Sequence, residues 1–270
     1  MALTGGERAG GEQAAPAPVD TALRINRMHF PVTALGPGRR LGVWTQGCSV
    51  GCAGCLAHDT WSSENGSWLA AEDFRDLWRR ALDQGADGLT VSGGEPGDQP
   101  EALTALLRVA REEAADRAAD LLVYTGHPLA VLQRRAPQVT GGLADAVISE
   151  PFRADAPTTL IWRGSANQIV TPLTPLGHER YGPWLDHSPD RAPMQIVTSD
   201  RDAWLIGVPR AGELPLLEKA LRTAGFRHGQ VSWRPDRRTA RAAGPEPGDE
   251  PRTAAPRTSP SGPTEKETER

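Results

Sequence analysis

Three cysteines lie within eight consecutive residues of a glycine-rich stretch, and the 270-residue chain contains no others. Cys48, Cys52 and Cys55 follow the spacing Cys-x3-Cys-x2-Cys, with small residues such as Gly51 and Gly54 between them. Thiolates at this spacing on one tight loop can surround a compact inorganic centre, because small residues let the backbone wrap closely. An odd number of clustered cysteines also argues against a disulfide framework. The stretch is therefore the first candidate for chemistry.

Three kinds of site are compatible with these cysteines. Buried structural cysteines are the simplest, but a glycine-rich loop is a poor place to bury them. A structural zinc site would use His58 as its fourth ligand, although four ligands within eleven residues are cramped for a tetrahedral ion. An iron–sulfur cubane normally takes four cysteines, so three would leave one iron free to bind a substrate. The residues favour the cluster and keep a non-catalytic zinc-binding module as an alternative.

Strands and helices alternate along the part of the chain that contains and follows the cysteines. Short apolar runs predict strands at 40–47, 88–94, 120–126 and 144–152. Apolar residues at helical spacing predict helices over 69–85, 101–114 and 128–135. Apolar strands joined by helices are typical of parallel βαβ units, whose right-handed crossovers build an open sheet or a complete or incomplete barrel. We therefore predict an α/β fold.

Polar motifs come directly after three of these strands, where parallel α/β folds bind their ligands. The cysteine loop and the motifs SGGEP and YTGHP should therefore lie together at the edge formed by the carboxyl ends of the strands. Gly93 and Gly94 would allow close backbone approach to a ligand, or would form an ordinary turn. Further along, the cluster RGSANQ offers Arg163 for bidentate pairing with a carboxylate and Asn167 for orienting a ligand, with a solvated loop as the alternative.

Composition and pattern divide the chain into four parts. Residues 1–21 and 236–270 contain almost no large apolar side chains, so we predict that both are disordered tails. The strand–helix pattern places a core domain at 22–175. After it, two strands, a helix and a last strand predict a small β-β-α-β extension at 176–235.

Charge and hydropathy exclude two classes of partner. The net charge is −4, and no segment of the core presents a periodic basic face, so a nucleic-acid partner is not expected. No apolar run approaches the roughly 20 residues that cross a membrane, and the N-terminus lacks the apolar core of a signal peptide. We therefore expect a cytoplasmic protein without a membrane partner, in agreement with unpaired cysteines in a reducing compartment.

Taken in order, the motifs resemble those of the radical S-adenosylmethionine (SAM) superfamily, and within it the anaerobic ribonucleotide reductase activating proteins and other glycyl-radical enzyme activating enzymes. The matching segments, between Arg24 and Pro175, are GPGRRLGVWTQGC, AHDTW, VSGGEP, YTG and WRGSANQ. Gly54 occupies a position where many superfamily members carry an aromatic residue, as is usual in the activating branch. Ser149 and Glu150 depart from that branch, which commonly has Asp-Gly before a Pro-Phe-like pair.

The resemblance implies a radical SAM core, an incomplete parallel (β/α) barrel that holds a [4Fe-4S] cluster and SAM. Cys48, Cys52 and Cys55 would ligate three irons as the catalytic metal site, and the fourth iron would chelate the amino and carboxylate groups of SAM. The matching motifs imply a role in SAM binding for six residues: Gly93, Gly94, Glu95, Thr125, Arg163 and Asn167.

The activity that the resemblance implies is that of a radical SAM oxidoreductase. The reduced cluster would cleave SAM to methionine and a 5′-deoxyadenosyl radical, which would abstract hydrogen from a glycine of a partner such as anaerobic ribonucleotide reductase. The reaction would require an external one-electron donor of the flavodoxin or ferredoxin type. The altered pair Ser149–Glu150 and the C-terminal extension leave a peptide or a small metabolite open as an alternative substrate.

Overall fold

The computed structural model describes residues 22–115, 117–198, 203–223, 225 and 231–233. The tails predicted to be disordered, 1–21 and 236–270, lie outside the described residues. The strands of the described part are β1 Leu23–Val32, β2 Arg40–Thr45, β3 Ser67–Leu69, β4 Gly88–Gly93, β5 Asp120–Tyr124, β6 Ala146–Ser149, β7 Ile169–Pro172, β8 Met194–Thr198 and β9 Ala203–Gly207. Its α-helices are α1 Ala71–Asp83, α2 Pro100–Glu113, α3 Leu129–Arg135, α4 Pro175–Tyr181 and α5 Glu213–Thr223.

Seven strands form one open sheet in the order β3-β1-β2-β4-β5-β6-β7. The strands β2, β4, β5 and β6 are parallel neighbours, which confirms the predicted βαβ units, and α1, α2 and α3 lie at the predicted places. The antiparallel strands β1, β3 and β7 are not among the predicted ones. The predicted incomplete parallel barrel is not confirmed: β7 runs antiparallel to β6, and the open sheet ends at β3 and β7.

The C-terminal extension contains the predicted hairpin and helix. The strands β8 and β9 pair antiparallel as a separate two-stranded sheet, and α5 follows them. The predicted last strand is not confirmed where it is described, since Val231–Trp233 have no strand pairing, and its flanks lie outside the described residues. Within the part of the chain that the structure describes, no helix is both long and apolar enough to cross a bilayer.

The helices α1 and α2 cover one face of the large sheet. Alternate side chains of the parallel strands, among them Val43, Val91 and Val123, are fully buried on this face because successive strand residues point to opposite sides. Trp78 of α1 is the largest buried side chain of this layer, and its indole N–H donates to the Ala110 carbonyl of α2 at 3.0 Å. The hydrogen bond satisfies the one polar atom of the indole and ties the two helices together.

The opposite face of the sheet buries a charged pair near the amino-terminal ends of its strands. Arg40 and Asp120 occupy register positions on either side of Gly88, and the missing side chain at Gly88 lets them meet across β4. Both side chains are fully buried and are joined by two hydrogen bonds of 2.7 and 3.0 Å. The guanidinium also donates to Thr90 Oγ1 at 2.6 Å, and the Tyr181 hydroxyl donates to the Asp120 carboxylate. Pairing and hydrogen bonding offset part of the cost of removing both charges from water.

Near the carboxyl-terminal ends of the strands, the C-terminal extension covers this second face. The Trp204 ring of β9 packs edge-on against Trp44 of β2, with ring centroids 4.6 Å apart. Ile206 is buried in the same apolar group, which also includes Tyr124 from the end of β5. The hairpin therefore shares a core with the large sheet.

Replacing Asp120 tests the buried pair. In Asp120→Ala the Arg40 charge stays buried without its partner, so we expect the free energy of unfolding to fall by about 3–5 kcal/mol. Asp76→Ala, which removes an exposed pair with Arg79, is the control and should change stability little. Urea denaturation followed by circular dichroism measures both losses, and equal losses would contradict the role given to the pair.

Candidate functional site

The cysteine loop begins where β2 ends, at the edge of the sheet that holds the carboxyl ends of the parallel strands. Cys48, Cys52 and Cys55 lie there as partly exposed free thiols. The Cys55 amide donates to the Cys52 carbonyl at 3.1 Å, and φ angles of +59° and +79° at Gly51 and Gly54 turn the backbone. The structure thus places the three thiols on one tight loop at the predicted edge.

The ionisation of the thiols affects how the loop takes up a metal. Burial raises the pKa of Cys48 and Cys52, so both thiols are protonated at neutral pH in the metal-free protein. Metals bind the thiolate, and loading the loop must therefore release protons. Metal affinity should consequently fall as the pH is lowered.

The zinc alternative requires His58 beside the three thiols. Within the described residues, no group of three or more His, Cys, Asp or Glu side chains is arranged to hold a metal ion. The His58 ring packs against Trp61 with centroids 4.5 Å apart, burial lowers its pKa, and its Nδ1 has no hydrogen-bond partner there. Three cysteines without a fourth match the donor set of a four-iron cluster that leaves one iron open, whereas a structural zinc site would need His58 as its fourth ligand.

The glycine pair of SGGEP joins the end of β4 to the start of the cysteine loop. The Gly94 amide donates to the Thr45 carbonyl, and the Glu95 amide donates to the Gly47 carbonyl, both at 2.9 Å. A Cβ on Gly94 would lie 2.1 Å from the Gly47 oxygen, and one on Gly93, at φ +107°, would lie 2.3 Å from the Thr45 nitrogen. The close backbone approach predicted for these glycines is therefore made to the protein's own loop.

Glu95 is buried at the centre of the loops that follow β4 and β5. Its Oε1 accepts hydrogen bonds from the Gly97 amide and the Thr125 hydroxyl at 2.7 Å, and its Oε2 accepts one from the Gly126 amide at 2.6 Å. Burial raises the pKa of Glu95, although these hydrogen bonds oppose the change. A carboxylate oxygen can accept two hydrogen bonds, so Oε2 has room for one further donor. Thr125 supports Glu95 directly.

A second carboxylate, on Asp98, holds the cysteine loop and is not singled out by the sequence. It accepts hydrogen bonds from the Ser49 amide and the Ser49 hydroxyl, both at 2.7 Å. Arg135 donates to it at 3.0 Å, and His127 lies 3.5 Å away. Burial tends to raise the pKa of Asp98, but the hydrogen bonds from Ser49 and the neighbouring His127 together lower it. Motif spacing gives no signal for this contact, because Ser49 and Asp98 are 49 residues apart.

Arg163 and Asn167 each keep one buried polar atom without a partner among the described residues. Arg163 Nη2 donates to the Leu185 carbonyl, and Asn167 Nδ2 donates to the Pro151 carbonyl at 2.8 Å. The atoms left over are Arg163 Nε, a donor, and Asn167 Oδ1, an acceptor. Buried polar atoms are rarely left unsatisfied, so each of these two atoms could take a polar partner from a ligand.

Phe152 brings the RGSANQ segment next to the cysteine loop. A Cβ on Gly54 would lie 3.5 Å from the Phe152 ring, and a Cβ on Gly164 would lie 2.9 Å from the same ring. The ring therefore sits between the two glycines. An aromatic side chain thus stands beside Gly54, where the cysteine motif itself has none.

Glu150, which departs from the resembled pattern, adopts a backbone conformation that favours glycine. Its φ is +85°, in the left-handed region where a Cβ is costly. The Glu150 amide donates to the His127 carbonyl at 3.1 Å, and Gln168 donates to the Glu150 carbonyl at 3.2 Å, so the turn is held from both sides. The turn keeps the shape that a glycine would adopt, although the side chain has changed.

Comparison with known proteins adds an independent observation. The profile of the family described as 4Fe-4S single cluster domain matches residues 34–171. The anaerobic ribonucleoside-triphosphate reductase-activating protein of Vibrio cholerae is 31% identical over 160 residues, which cover 54% of this chain and 96% of that protein. The protein of the same name from Escherichia coli K12 is 32% identical over 148 residues, or 53% and 94% of the two chains. The one from Enterobacteria phage T4 is 26% identical over 135 residues, or 49% and 83%.

The junction between the glycine pair and the cysteine loop can be tested with Gly94→Ala. The added methyl would lie 2.1 Å from the Gly47 oxygen, so the two loops must separate, at a cost of about 1–3 kcal/mol or more. We expect a lower melting temperature and less iron bound per chain after anaerobic reconstitution. Gly141→Ala is the control, because a Cβ there meets no atom within 4 Å. Unchanged stability and iron content in Gly94→Ala would contradict this account.

The strain at Glu150 predicts a stabilising substitution. Glu150→Gly should raise the free energy of unfolding by about 1 kcal/mol, because glycine adopts φ +85° without a Cβ clash. Glu150→Ala is the matched control: it removes the same carboxylate but keeps the Cβ, and should give no such gain. Denaturation curves of the three proteins measure the difference. A gain of equal size in the alanine variant would show that the carboxylate, not the backbone, is the cause.

Proposed function

Because the chain belongs to the 4Fe-4S single cluster domain family and to the anaerobic ribonucleoside-triphosphate reductase-activating proteins, we propose that it is a radical SAM enzyme that installs a glycyl radical on a partner protein. The observation that carries the proposal is the arrangement at the cysteine loop. Three thiols share one loop beside the buried Glu95 carboxylate, and the chain offers no fourth cysteine. A cluster held this way keeps one iron open for a ligand.

Cys48, Cys52 and Cys55 are the proposed ligands of the [4Fe-4S] cluster. A cluster bound there, once reduced by one electron, would supply the reductive cleavage of SAM to methionine and a 5′-deoxyadenosyl radical. The protein's contribution is to fix the loop before the cluster arrives. The hydrogen bonds from Ser49 to Asp98 and from the Glu95 amide to Gly47 perform that task on two sides of Cys48.

We assign SAM to the space bordered by the loops after β4, β5 and β6. The free acceptor capacity of Glu95 Oε2 suits the ammonium group of SAM, and Thr125 keeps Glu95 in place. The unpaired Nε of Arg163 suits a carboxylate, and the unpaired Oδ1 of Asn167 suits a hydroxyl or an amino donor. Gly93 and Gly94 contribute by letting the loops meet.

The proposed partner is a glycyl-radical enzyme of the anaerobic ribonucleotide reductase type, as the names of the relatives suggest. One hydrogen atom would leave a glycine Cα of the partner, and 5′-deoxyadenosine would be the coproduct. The electron for each turnover must come from an external one-electron donor of the flavodoxin or ferredoxin type, and we infer that the reaction requires oxygen to be excluded.

A second candidate substrate is a peptide or a small metabolite. The departure at Ser149 and Glu150 favours it, because Ser149 ends β6 and Glu150 follows it, at the same edge as the cysteine loop. The C-terminal extension, whose β9 packs on the second face of the sheet, is the other feature that leaves this substrate open. A glycyl-radical signal in the electron paramagnetic resonance spectrum of a candidate partner distinguishes the two substrates.

Cleavage of SAM tests the proposed chemistry. After anaerobic reconstitution with iron and sulfide, the wild-type protein with SAM and dithionite should release 5′-deoxyadenosine, measured by liquid chromatography. Cys52→Ala should abolish release, because one of the three cluster ligands is lost. Gly141→Ala serves as a control outside the site and should keep full activity. Three results would each overturn the proposal. They are no 5′-deoxyadenosine from the wild type, undiminished release from Cys52→Ala, and zinc without sulfide in the purified protein.

A further inference from the structure

The described residues beyond the matched domain end next to the cysteine loop. The Ser232 hydroxyl donates to the Leu56 carbonyl at 2.8 Å, and the His58 amide donates to the Ser232 carbonyl at 3.2 Å. Leu56 directly follows Cys55, the third cysteine of the loop. Residues more than 170 positions apart in the chain thus make two hydrogen bonds at the proposed cluster site.

The segment around Ser232 is itself anchored. The Trp233 indole N–H donates to Glu218 Oε1 at 2.8 Å, and Glu218 is buried in α5. The hairpin that precedes α5 is fixed to the large sheet by Trp204, which packs on Trp44 and lies under the guanidinium of Arg27 at 4.9 Å. The C-terminal extension therefore has attachments to the second face of the sheet and to the cysteine loop.

The segment that Ser232 contacts supports the other end of the cysteine loop. It continues into a short 3-10 turn, His58–Thr60. From there the Thr60 carbonyl accepts a hydrogen bond from the Gly47 amide at 2.8 Å, and the Trp61 carbonyl accepts one from the Cys48 amide at 3.1 Å. A displacement of this segment would therefore be transmitted to Cys48 as well as to Cys55.

We propose that Ser232 is a positioning residue, through which the C-terminal extension holds both ends of the cysteine loop in the geometry that receives the cluster. Without the Ser232 hydroxyl, the Leu56 carbonyl loses its partner and the segment from Leu56 to Trp61 loosens. The inference rests on the proposed cluster. Its first test is made on the cluster-free protein, so that a failure of the positioning role is distinguishable from a failure of the proposed function.

The first measurement is amide hydrogen exchange in full-length, cluster-free protein. In Ser232→Ala we expect the peptide covering 56–61 to exchange about fivefold faster, the effect of losing one ordinary hydrogen bond. Ser188→Ala is the matched control, since Ser188 also donates to a carbonyl, that of Thr159 at 3.2 Å, away from the loop. Ser232→Thr keeps the hydroxyl and should restore slow exchange.

The second measurement is the stability of the cluster. After anaerobic reconstitution and exposure to air, we expect the iron–sulfur absorbance of Ser232→Ala to decay several-fold faster than that of the wild type, Ser188→Ala or Ser232→Thr. Three results would each overturn the positioning role. They are unchanged exchange at 56–61, an equal increase in exchange in Ser188→Ala, and faster exchange with unchanged cluster decay. If the wild type takes up no iron and sulfide, the proposed function fails instead, and the exchange result still decides whether Ser232 holds the loop.

Discussion

Arg40 and Asp120 place opposite charges where neither side chain is exposed, and they reach each other only across the bare backbone of Gly88. This contact fixes the relative register of β2, β4 and β5. A slip by one residue would turn one charge to the helix-covered face and leave the other unpaired, so alternative registers are strongly disfavoured. Because the strands are parallel, fixing their register at the amino-terminal ends also fixes which residues lie side by side at the carboxyl-terminal ends. The site at the carboxyl ends is positioned by a charge pair near the amino ends.

At the carboxyl ends of the parallel strands, the loop after β4 carries two carboxylates, and each binds a different neighbouring loop. Glu95 accepts hydrogen bonds from the backbone after β5, and Asp98 accepts them from the cysteine loop after β2. The loop after β4 therefore connects its two neighbours, and Gly93 and Gly94 let it lie close enough to do so. The loops are thus positioned by contacts among the protein's own residues, which favours a rigid site.

The sequence was sufficient for the parts of the fold and site that depend on local pattern. Apolar runs predict β2, β4, β5 and β6, helical spacing predicts α1 and α2, and the spacing of the cysteines predicts their common loop. The strand β3 has only three residues and β7 ends in proline, so neither has a pattern long enough to recognise. The Ser49–Asp98 contact and the left-handed backbone of Glu150 depend on distant parts of the chain. Sheet topology is likewise a property of the whole fold, so local pattern could not decide between an open sheet and the incomplete barrel that the resemblance implies.

The contact between Ser232 and Leu56 also has a consequence for biosynthesis. During translation the three cysteines leave the ribosome long before Ser232, which follows Leu56 by 176 residues. The loop cannot acquire its full set of contacts until Ser232 has been made. A cluster delivered to the finished geometry would therefore arrive after that point, and a chain that stops short of Ser232 would present the thiols on a loop with less support.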